Sequence, residues 1–171
     1  MSAGDIFNIV LALLLGIALG GSLVFWLQKK GAQGIDQVAR LRGVSLLEQV
    51  AEHIGKVSHV FSKYASLVIE IGPHPERMSS AQQRELEALS NDLVRVYEEV
   101  SVAESKLLLL GEQRLEKALK LYTVKMAQFR KQIYPGRYQN ADDAGKLRKE
   151  VTEMKEQFYT ILSERYDQKI G

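Results

Sequence analysis

The chain has 171 residues, 46% hydrophobic and 26% charged, with a formal net charge of +2 and no cysteine. So even a balance offers no global electrostatic case for nucleic acid. The missing thiols exclude cysteine nucleophiles, thiolate zinc clusters and disulfide scaffolds.

In chain order the first element is an apolar run from Ile6 to Leu27, 22 residues without a charge, in which Asn8 and Ser22 are the only conventionally polar side chains. As a helix rising 1.5 Å per residue it covers about 33 Å, close to the roughly 30 Å of bilayer hydrocarbon. A secretion signal has a basic start and a shorter apolar core. Here the start is Met-Ser-Ala-Gly-Asp, and Leu23-Val24-Phe25-Trp26-Leu27 runs on past the small residues Gly20-Gly21-Ser22. The sequence therefore predicts a retained single-pass transmembrane helix over 6–27. Lys29 and Lys30 follow at once, with Arg40 and Arg42 beyond, whereas the N-terminal side offers only Asp5. Basic residues stay on the cytoplasmic side, so residues 1–5 form a short extracytoplasmic N-terminus and the C-terminal bulk is cytoplasmic, at an inner or plasma membrane. Within the span Asn8, Ala12, Gly16 and Gly20 recur every four residues. That spacing lays them along one ridge, where a second helix can approach closely and the chain can self-associate.

Residues 28–34, Gln-Lys-Lys-Gly-Ala-Gln-Gly, read as a flexible juxtamembrane linker. Residues 35–171 then suffice for one domain. All three prolines sit at punctuation, in Gly72-Pro73-His74-Pro75 and Tyr134-Pro135-Gly136, where helices stop. Upstream of Gly72 a helix carries the stripe Val50, Ile54, Val57, Phe61, Tyr64, Val68 and Ile71, with Gly43 and Gly55 as weak points. After the first break, Ser79 or Ser80 followed by Gln82 or Gln83 has the form of a capping box. Leu86, Leu89, Leu93, Val96, Val100, Ala103, Leu107 and Leu110 then alternate at three and four residues, a coiled-coil-like seam. Gly111 supplies a C-cap, and Leu115, Leu119, Tyr122, Met126, Phe129 and Ile133 resume in a new register. Asn140 or Asp142 caps a last helix striped by Leu147, Val151, Met154, Phe158 and Ile161. The fold class is all-α: a transmembrane helix followed by an antiparallel bundle of about four helices. An intermolecular coiled coil over 80–110 is the competing arrangement.

No catalytic, cofactor-binding or metal motif is found. The histidines are His53, His59 and His74, and none stands in the Glu-x-x-His spacing of a di-iron bundle. No phosphate-binding glycine loop or nucleophile elbow occurs. His53 is expected to border the core and His74 to lie in the turn, and Glu98, Glu99 and Glu104 read as a solvated acidic face.

Charge is uneven along the chain: residues 79–111 balance to −3 and residues 112–137 to +5. Acidic and basic neighbours inside one bundle would satisfy each other. Otherwise Arg114, Lys117, Lys120, Lys125, Arg130 and Lys131 form a basic face for anionic lipid headgroups, with nucleic acid a weaker alternative. Val94, Val102, Leu108, Leu109, Leu121 and Val124 lie off the main stripes. A central helix that buries a wide face would absorb them; otherwise they are a patch for a protein partner. The sequence thus points to a membrane-anchored helical scaffold or adaptor, not an enzyme, with an unidentified protein partner or a second copy of itself. The alternative is a tethered module whose basic helix binds lipid or nucleic acid.

Overall fold

The computed structural model describes the backbone of residues 3–138 and 140–171, and the side chains of 37–171 other than 77 and 139. It is all-helical, with four α-helices and no strand among the described residues. Helix α1 is Ala3–Ile71, α2 is Ser80–Leu109, α3 is Gln113–Gln132 and α4 is Ala141–Ile170, with one 3-10 turn at Pro75–Arg77. The chain divides into two compact units, Met1–Arg42 and Gly43–Gly171.

In the first unit the backbone is helical from Ala3 on, including residues 28–34, where the sequence suggested a flexible linker. Gln, Lys and Ala favour helix, and each of the two glycines there costs only about 1 kcal/mol. Among the described residues no helix is long and apolar enough to cross a membrane. The span read at 6–27, and with it the ridge Asn8, Ala12, Gly16 and Gly20, falls on residues whose side chains lie outside the described ones.

The second unit is built as its stripes require. On α1, Leu47, Val50, Ile54, Val57, Phe61, Tyr64 and Val68 are buried, recurring at three and four residues. On α2 the seam residues Leu86, Leu93, Val100, Ala103 and Leu107 are buried, whereas Leu89, Val96 and Leu110 are only partly covered. Leu115, Leu119, Tyr122, Met126 and Phe129 of α3 and Val151, Phe158, Ile161 and Leu162 of α4 complete one core.

Contacts between side chains order the helices as a ring. Helix α1 meets α2 through His53 and Glu99, and α2 meets α3 through Ser90 and Arg130. Helix α3 meets α4 through Lys125 and Glu150, and α4 returns to α1 through Arg148 and Ser66. Each neighbouring pair runs antiparallel. Helices α1 and α3 face each other across the diagonal, where Phe61 and Phe129 pack edge to face at 5.3 Å and the Ser58 and Tyr122 hydroxyls lie 2.9 Å apart.

The breaks follow from local chemistry. Ser79 and Gln82 form a reciprocal capping box at the start of α2, and Asn140 caps α4 by accepting from the Asp142 N–H. Gly111 ends α2 with φ of +69°, a conformation that side-chain-bearing residues rarely adopt. At the far end the two proline loops interlock. The Gly136 N–H donates to the Pro73 carbonyl at 3.1 Å, and the Tyr138 hydroxyl donates to the Val68 carbonyl at 3.0 Å. Gly43 proves to be a point of close approach, since a Cβ there would meet Lys169 Nζ at 3.3 Å.

Candidate functional site

Three groupings of polar side chains hold the helices in register. Between α1 and α2, His53 sits with both ring nitrogens engaged. Its Nδ1 pairs with the Glu99 carboxylate, and its Nε2 lies 2.9 Å from Lys106 Nζ. An ammonium has only donors, so Nε2 accepts and Nδ1 carries the proton it donates to Glu99. Lys106 also donates to Gln49 at 2.8 Å. The His53 hydrogen bond holds the Glu99 carboxyl below the usual carboxylate range. An imidazole saturated in this way fastens two helices and has no free nitrogen for a substrate. It was not visible in the sequence, because its partners stand 46 and 53 residues away. Glu99, read there as part of a solvated acidic face, is one of those partners. His74 lies exposed beside the 3-10 turn, its Nδ1 3.2 Å from Glu76.

The second grouping surrounds Glu112, a buried acid in the α2–α3 turn. Arg165 Nε donates to its carboxylate at 2.6 Å, and Lys169 Nζ approaches the same oxygen at 3.7 Å. This pins the turn to the end of α4. A small cleft of about 190 Å³ opens here, bordered by Glu112, Arg114, Glu164 and Arg165. Its charged walls neutralise each other, with Arg114 3.5 Å from Glu164. The third is the Ser58–Tyr122 pair in the core, where burial pushes the Tyr122 phenol up to about 12 although the Ser58 hydrogen bond opposes the shift.

A shallow groove of about 630 Å³ between α1 and α2 is lined by His59, Ser62, Lys63, Glu70, Gln82 and Glu85 among others. Among the described residues no group of three potential metal ligands converges.

The candidate basic face is partly consumed by the bundle, and only in part as its charge balance suggested. Its cations were expected to complement acidic α2. Arg114 and Lys125 reach Glu164 and Glu150 of α4, Lys120 pairs with Glu116 on its own helix and also feels Glu104 of α2, and Arg130 donates to Ser90. Lys117 and Lys131 are exposed and have no hydrogen-bond or ion-pair partner among the described residues. The candidate patch residues are all on the surface: Val94, Val102, Leu108, Leu109, Leu121 and Val124 are each exposed, Leu109 by 81%. The wide buried face that would have absorbed them does not form, because in a ring of four each helix has only two neighbours and one diagonal contact to cover it.

The two sets meet on α3. At about 100° per residue, Leu121 and Val124 fall on the arc opposite the buried Leu119, Tyr122 and Met126, and Lys117, Lys120 and Lys131 share that arc. The only acids between Ser105 and Gln132 are Glu112 and Glu116, and neither is exposed. Their side chains are 10% and 12% accessible, each beneath its own cation. The exposed surface of that segment thus consists of Leu, Val, Ala, Gly, Ser, Gln, Arg and Lys.

Comparison with known proteins finds no matching family model, no matching curated protein and no matching solved structure.

Proposed function

We propose that this chain is a single-pass membrane protein that holds a helical bundle at the cytoplasmic face as a scaffold or adaptor. The observation that carries the reading is the uncharged run from Ile6 to Leu27, closed by Lys29 and Lys30. It has the length of a bilayer crossing, and its basic flank is the one that stays in the cytoplasm. The bundle supports a binding role over a catalytic one. Apart from the buried Tyr97 hydroxyl, which has no hydrogen-bond partner among the described residues, the described interior polar groups are spent on contacts within the bundle, and most of its uncommitted chemistry lies on exposed apolar and basic side chains.

The test is fractionation and topology. The full-length protein should stay with membranes through alkaline extraction, and a reporter active only in the cytoplasm should be active when fused after Gly171. Release by alkali, or activity only of a reporter that works outside, overturns the proposal.

A further inference from the structure

We propose that the outward face of α3, with the α2–α3 corner beside it, is a docking surface for the anionic headgroups of the membrane in which the chain is anchored. The inference rests on that anchor and adds the surface by which the bundle meets the bilayer.

Two properties converge on this face. It is apolar, since Leu108, Leu109, Leu121 and Val124 are 64%, 81%, 53% and 61% exposed. It is also basic: Lys117 and Lys131 are exposed and unpaired, Lys120 lies over the tucked Glu116, and the exposed acid Glu164 meets the face only at its edge, beside Arg114. Leucine and valine among lysines, on a helix whose acids are tucked inward, is the composition of a surface that sinks its apolar side chains to the acyl boundary while its ammonium groups meet phosphates. A protein partner could cover the apolar residues, but exposed lysines left unpaired beside them fit a polyanionic plane better. Nucleic acid would use the cations, yet the exposed residues of α3 include no aromatic ring on which a base could stack.

The tether is long enough. Fifteen residues separate Leu27 from Gly43, and they span about 23 Å as helix and about 50 Å extended. A bundle two helices thick measures about 20 Å. Gly31 and Gly34 within this stretch are residues at which a helix gives readily, so the stretch does not hold the bundle to one orientation.

The chain has no cysteine, so single labels can be placed cleanly. Full-length Val124→Cys and, as the reference on the diagonally opposite helix, Ser62→Cys are each labelled with an environment-sensitive fluorophore. They are reconstituted in vesicles of phosphatidylcholine with or without phosphatidylglycerol. In the anionic vesicles the label at residue 124 should shift to the blue and be quenched several-fold more strongly by spin-labelled lipid than the label at residue 62. The difference should vanish in pure phosphatidylcholine. It should shrink when salt rises from about 0.1 M to about 1 M, which shortens the Debye length from about 10 Å to about 3 Å. The exposed substitutions Lys117→Gln, Lys120→Gln and Lys131→Gln together should abolish it while helicity is unchanged. Equal quenching at both positions in anionic vesicles overturns the proposal. So does protection of residue 124 only on addition of an RNA oligonucleotide, or only where two labels report contact between copies. Alkaline extraction of the same vesicles reports the anchor separately. A water-exposed label on a retained chain therefore rejects this surface and leaves the anchor standing.

Discussion

Tyr122 shows how much a single side chain can decide. It is 1% exposed and diagonally bonded to Ser58, and its phenol titrates near 12 in the folded chain against about 10 in an unfolded one. A group whose folded pKa is raised contributes stability that is complete below the unfolded value and is lost as pH rises through the folded one. Tyr122 alone should therefore withdraw about 2–3 kcal/mol between pH 10 and pH 12. Tyr122→Phe should cost about 1 kcal/mol at neutral pH through the lost hydrogen bond, and should flatten the alkaline decline. Denaturant titrations at a series of pH values measure both effects. Neither the Tyr122 bond nor the His53–Glu99–Lys106 lattice could be read from the sequence. Each joins residues dozens of positions apart, and periodicity reports which face is buried without naming what it meets there.

Elements were more legible, because their signals are local. Ser79 with Gln82, Asn140, Gly111 and the two proline breaks act within four residues of themselves, and each punctuates the chain where the sequence placed it. The α2 seam was legible as a stripe, but not which of its residues would be less covered. Leu93 is buried while Leu89 and Val96 are partly covered, because a helix in a ring of four turns one side of its seam to the centre and the other toward a neighbour. Leu93→Ala should cost about 2–5 kcal/mol, whereas Leu109→Ser should change stability by less than about 0.5 kcal/mol. Chemical denaturation of the two variants tests this. An intermolecular coiled coil through α2 would instead make the Leu93 effect depend on protein concentration.

The proposed span and its ridge belong to the scale of the whole molecule. Close approach of two α1 helices requires that nothing stand between the backbones at Gly16 and Gly20. Replacing both with Leu preserves hydrophobicity, so membrane insertion should be unchanged while self-association in a membrane reporter collapses. Gly21→Leu, about 100° around the helix, should have a much smaller effect. Equal association of the wild type and the double variant would mean that the glycines do not mediate pairing. That the described chain is all-helical followed from the count of amphipathic stripes. The joint surface on α3 did not, because in sequence the cations and the spare apolar residues look like separate sets and only burial of Glu112 and Glu116 leaves them alone together.

Because the packed unit has an even number of antiparallel helices, its C-terminus returns to the end where α1 enters, with Lys169 against Gly43. Tension applied between the chain entering at Gly43 and the C-terminus would load α1 and α4 as a zipper and not in shear. The contacts would part in succession: Lys169 from Gly43, then Tyr166 from Glu48, then Tyr159 from Ala51, and last Arg148 from Ser66. A bundle gripped this way yields to small forces, one turn at a time, and the first surface it opens is the core between Leu47 and Leu162.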